Sequence, residues 1–186
     1  MLMPRLRGIW ESSPGASPPK PRRGRHRVFR TMPAKSRTFF KFWDADVDLF
    51  RDVEVCPLSN INLPFKPLTL LGIYDTTYRR IYLDDLRDIR TFFHEASHHV
   101  VTQRMPQLYS THRGRAVEET VADIAAAVAV KKMPVPRGVG WLLIEMGQLK
   151  SCRRLYFDKD GDPHLSSRCI LNALKAKPGL IYTLFP

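Results

Sequence analysis

The chain has 186 residues, 44% of them apolar and 26% charged, which suits one domain of ordinary size with a tail and a real core. The formal net charge is +12, but residues 1–41 carry +10 of it and residues 42–186 only +2. The basicity therefore belongs to one end and gives no support to nucleic-acid binding by the folded part. No run of eighteen apolar residues is present, so no membrane span is expected.

Residues 1–36, which include "ESSPGASPPKPRRGRHR", cannot bury enough apolar surface to offset their ordering entropy and read as a disordered basic Pro/Arg-rich tail. They lack the apolar core of a secretory signal, no hydrophobic stretch follows "RRGR", and Pro14, Pro18, Pro19 and Pro21 spoil a transit-peptide helix. The tail could make nonspecific nucleic-acid contacts by counterion release. Met32, just before the first dense apolar stretch, is a candidate natural start.

Residues 37–186 read as one domain. "RTFFKFWDADVDLF" is a helix, or a helix and then a strand, with its aromatic cluster in the core. "VEVCPLSNINLPFKP" has three prolines and reads as irregular chain. "LTLLGIYD" and "RRIYLDD" flank Asp75–Tyr78 as the two strands of a hairpin. Asp84 or Asp85 then caps a helix through "LRDIRTFFHEASHHVVTQR", with Leu86, Ile89, Phe93 and Val100 on its buried side and Pro106 beyond its end. "AVEETVADIAAAVAVKK" is a second, alanine-rich helix with lysines in its last turn. "VGWLLIEMGQLKSC" is a third. "RRLYFDKDGDPHL" reads as strand and turn, because its glycine and Cys169 sit wrongly for a calcium loop. "SSRCILNALKAKPG" is a fourth helix with Ser166 or Ser167 as cap. The expected fold class is α+β: a mainly helical domain with a small antiparallel sheet, in which the histidine-bearing helix packs on a second helix that carries a ligand.

"HEASH" at residues 94–98 is an HExxH motif on a helix. Residues four apart share a face, so His94 and His98 can hold one cation, with Glu95 about 100° round the helix and able to reach a water. His99 points away from His98 and reads as a surface or packing residue. A third ligand must come from downstream. Position 104, used by the longer HExxHxxGxxH pattern, is Arg104. "EETVAD" offers Glu118 and Glu119. Glu119 is preferred because Asp123 stands four residues on and can orient a ligating histidine, whereas Glu118 is backed by Ala122. An oxyanion stabiliser could be Tyr109, His112 or His164. Cys56, Cys152 and Cys169 are odd in number, widely spaced and form no CxxC pair, so neither a cysteine zinc site nor a disulfide framework is expected, and reduced thiols in a cytoplasmic protein fit best.

HExxH followed about twenty residues later by a helix carrying ExxxD is similar to the gluzincin arrangement. Over residues 68–136, "GIYDTTYRRIYLDDL", "HEASH" and "ETVADIAAAVAVKKMP" resemble the ImmA/IrrE-type metallopeptidases in finer detail. Ser97 and Asp123 stand where those proteins usually carry Gly and Asn. The resemblance implies a Zn2+ ion on His94, His98 and Glu119, Glu95 as general base, and hydrolysis of a peptide bond in a protein substrate such as a repressor. No helix-turn-helix accompanies it. One alternative is a non-catalytic protein in which zinc staples two helices and the basic tail binds nucleic acid or acidic partners. Another is hydrolysis of a different amide bond.

Overall fold

The computed structural model describes residues 33–61, 70–145 and 163–181. Helix α1 spans Pro33–Trp43. It opens on a proline, whose missing N–H costs nothing at a helix start, and places Phe39 and Trp43 one turn apart, both buried. Phe39 stacks on Phe93 with ring centroids 4.9 Å apart. The Asp46 carboxylate accepts the Asp48 and Leu49 amides and starts a 3-10 turn, Val47–Phe50, in place of a strand.

Three short strands form a mixed sheet in the order β1-β3-β2. The expected hairpin is present as β2 (Gly72–Asp75) antiparallel to β3 (Arg80–Leu83). The Asp75 carboxylate takes the Thr77 and Tyr78 amides and shapes the turn between them. Strand β1 (Glu54–Pro57) lies in the segment expected to be irregular and pairs parallel to β3, so the sheet is mixed rather than purely antiparallel. Its proline is at the strand's end, where an unmade ladder bond is tolerated. Arg80 Nε donates to Glu54 Oε2 at 3.0 Å across that pair.

Helix α2 spans Ile89–Arg104 and is capped by Asp88, which accepts the Arg90 and Thr91 amides. Asp85 instead holds the turn before it, through the Arg87 amide. Leu86 therefore lies outside the helix and is exposed, contrary to the expectation from periodicity. Helix α3, His112–Lys131, is capped by the Thr111 hydroxyl and ends at Lys132, which adopts the left-handed conformation. A Cβ on Gly114 would sit 2.2 Å from the Leu108 carbonyl oxygen, so only glycine fits there. Helices α4 (Val135–Glu145) and α5 (Pro163–Ala176) complete the described part. The strand and turn expected over 153–165 lie outside the described residues as far as 162, and Pro163–Leu165 open α5 instead. Ser166 and Ser167 thus lie inside α5 rather than capping it.

Helix α3 is the centre of the domain, packed on α1, α2, α4 and α5. Its small side chains Ala122, Ala125, Ala126 and Ala129 are fully buried and allow close approach on several sides. One apolar cluster joins α1, α2, the sheet and one side of α3, including Phe39, Phe93, Ile81 and Val121. A second joins the other side of α3 to α4 and α5 through Ile124, Leu142, Leu171 and Leu174. Each such side chain contributes about 1.5–3 kcal/mol by leaving water.

Candidate metal centre

The pairing of α2 with α3 fixes the site. His94, nearer the start of α2, meets Asp123, nearer the end of α3; His98 meets Glu118, closer to the start of α3. The helices therefore run antiparallel. Each histidine has its own carboxylate. His94 Nδ1 lies 3.0 Å from Asp123 Oδ1, and His98 Nδ1 bonds Glu118 Oε1. An ionised carboxylate can only accept, so Nδ1 is the donor in both rings. That leaves both Nε2 atoms for the opposite side, where Glu119 lies. Its Oε2 is 3.2 Å from His94 Nε2 and 3.6 Å from His98 Nε2.

A third imidazole joins them. His164, in the first turn of α5, puts Nε2 3.1 Å from the same Glu119 oxygen. That oxygen is buried, yet none of these contacts has the angles of a well-formed hydrogen bond. A buried carboxylate oxygen left in this state is costly unless something else satisfies it. A cation would do so, and three overlapping trios here could hold a metal ion, the ligand atoms of each lying within 4.8 Å of one another: His94, Glu119 and His164; His94, Glu95 and His98; and His98, Glu118 and Glu119.

Burial disfavours the charged ring at His94 and His98, but the surrounding carboxylates outweigh it and hold both above the ordinary histidine range. Burial pushes the Glu119 carboxyl up, and the neighbouring imidazoles overcome this and hold it far below its ordinary range. Glu119 is thus an anion among three imidazoles. Glu95 is buried, with Oε2 4.0 Å from His98 Nε2. Burial raises its pKa, opposed by the two histidine rings and the Tyr74 backbone amide. Strand β2 crosses close over it: a Cβ on Gly72 would lie 3.0 Å from Glu95 Oε1 and 2.6 Å from Thr91 Cγ2.

His94, Glu95, His98, Glu119 and Asp123 are gathered at one point. Glu118 is there too, but in a role the sequence did not suggest: it orients His98 across the helix interface rather than relying on anything on its own helix. Tyr109 donates to that same Glu118 oxygen, and so lies on the Nδ1 side of His98, away from Glu119 Oε2. His112 Nε2 pairs with Ser166 Oγ at 2.9 Å, near the base of α5. His99 is a packing residue, its Nε2–H donating to the Leu49 carbonyl at 2.8 Å and its Nδ1 accepting from the Tyr74 hydroxyl at 2.7 Å. Ser97 accepts from Trp43 Nε1 and donates to the Phe93 carbonyl, which ties α1 to α2 directly behind the site.

No family model matches this chain, and neither a curated protein nor a solved structure does. No helix among the described residues is long and apolar enough to cross a membrane.

Proposed function

We propose that this chain is a zinc-dependent metallopeptidase that hydrolyses a peptide bond in a protein substrate, similar in its site to the ImmA/IrrE type. The observation that carries the reading is the double orientation of the imidazoles: Asp123 on His94 and Glu118 on His98 turn both Nε2 atoms toward Glu119 Oε2. Carboxylates on the outer nitrogens of metal-bound histidines fix the tautomer and raise ligand basicity. Donors about 2.0–2.1 Å from one tetrahedral ion stand roughly 3.3 Å from each other, close to the 3.2 Å and 3.6 Å separations here. Nitrogen and carboxylate donors without thiolate suit Zn2+.

A zinc ion held by His94, His98 and Glu119 would supply Lewis-acid activation of water and of a carbonyl. Glu95 is the proton acceptor: it is buried beside the ligands, with Oε2 4.0 Å from His98 Nε2. Its proton then passes to the leaving amine. Strand β2 supplies the binding edge. It pairs only with β3 among the described residues, so its outer backbone groups can take an extended peptide as a further strand. The close approach at Gly72 brings that edge over Glu95.

The test is Glu95→Gln against a library of peptides. The variant is expected to keep its metal and fold and to lose about 10^2–10^4 of the cleavage rate. Unchanged cleavage would refute the mechanism. The second reading, a zinc ion that staples helices in a non-catalytic interaction protein with a basic nucleic-acid-binding tail, is favoured by one observation, the closeness of His164 to Glu119.

A further inference from the structure

Three protein ligands leave a zinc site open for water, and four close it. His164 bears directly on that choice. Its Nε2 is as near to Glu119 Oε2, at 3.1 Å, as His94 Nε2 is at 3.2 Å, and nearer than His98 Nε2 at 3.6 Å. The ligand atoms of His94, Glu119 and His164 all lie within 4.8 Å of one another. The His94 and His164 rings are nearly parallel, 15° apart, with centroids 6.2 Å from each other. The base of α5 is fixed independently. Ser167 Oγ donates to the Ala116 carbonyl at 2.9 Å, and His112 pairs with Ser166. Position 164 is thus carried to the site on a helix start that is itself hydrogen-bonded to α3.

We infer that His164 Nε2 is a fourth protein ligand of the metal ion, closing the position that water or a substrate carbonyl would need. The site is then in a resting form, opened when an incoming donor displaces this one imidazole. Exposure separates the ligands. The His164 side chain is 51% exposed, against 14% for His94 and 12% for His98. His164 can swing out without leaving a buried hole, whereas His94 and His98 are held at Nδ1 by Asp123 and Glu118. This inference rests on the metal-centre reading, and its test keeps the two apart.

Cobalt(II) is loaded into the full-length wild type and into His164→Ala, His164→Gln and His94→Ala, with circular dichroism as the check on folding. Affinity is read by chelator competition, and azide is titrated while the visible cobalt spectrum is followed. The two His164 variants are expected to keep the ion with affinity weakened at least ~10-fold, and to change spectrum at azide concentrations that leave the wild type unchanged. Wild-type affinity and azide response in both His164 variants, with the ion lost from His94→Ala, would overturn the fourth ligand and leave the three-ligand centre standing. Should the His164 variants misfold, the wild type decides alone, since a ready azide response there means an open position. Failure of wild type to bind cobalt, or binding by His94→Ala as tight as wild type, would mean that the metal centre itself is wrong and His164 with it.

Discussion

His94 and Asp123 meet across the α2–α3 interface at 3.0 Å, and the contact uses the ring nitrogen that faces away from Glu119. His98 and Glu118 repeat the relationship one turn along. Two imidazoles are each held by a carboxylate, and such orientation would lower the cost of assembling the proposed centre.

Asp123→Asn and Glu118→Gln each keep the shape of the side chain but weaken its hold on a histidine. Each is expected to lower metal affinity ~10–100-fold with little change in helix content. Chelator competition on the purified variants measures this. Wild-type affinity in both would mean that the carboxylates do not orient the rings.

Gly72→Ala introduces a methyl where Thr91 Cγ2 and Glu95 Oε1 already stand, at 2.6 Å and 3.0 Å. Overpacking of this kind costs about 1–3 kcal/mol. Urea unfolding should register that loss, and the proposed peptide cleavage should fall with it, because relief of the clash moves either β2 or Glu95. A variant as stable and as active as wild type would show that the strand does not lie over Glu95.

His99 is 1% exposed and bonded at both ring nitrogens. His99→Ala is expected to cost ~2–4 kcal/mol in unfolding free energy, from the cavity and from the stranded Leu49 and Tyr74 groups. Burial, above all, depresses the His99 pKa in the folded protein. The neutral ring therefore stabilises fully above the unfolded value of about 6.5, and the stabilisation is lost as pH falls through the lower folded value. The gap between wild type and His99→Gln should shrink below about pH 6.5. A gap that widens in acid would mean the ring is charged in the fold.

Much of this site is legible from local spacing. His94 and His98 share a face because they are four apart, and Glu119 and Asp123 do so for the same reason. What spacing does not carry is the partner across an interface. Ala122 lies behind Glu118 on its own helix, which made Glu118 look idle, yet the 100° step from Glu119 turns it to the second imidazole on α2. His164 is more than forty residues from Glu119 in the chain, and only the docking of α5 on α3 brings them together. The sheet divides in the same way. The hairpin is local and readable around Asp75, while the parallel pairing of Glu54–Pro57 with β3 has no nearby signal, and Pro57 argued against a strand. Leu86 matched the helical period, but Asp88 fixes the start of α2 beyond it.

The central claim is that His94, His98 and Glu119 hold one metal ion between two helices. Zinc content of the purified full-length protein tests it most directly, measured for wild type, His94→Ala and Glu119→Ala after dialysis. About one equivalent in the wild type is expected, as a single centre requires, with little in either folded variant. Wild type without zinc, or both variants retaining as much as wild type, would contradict the account.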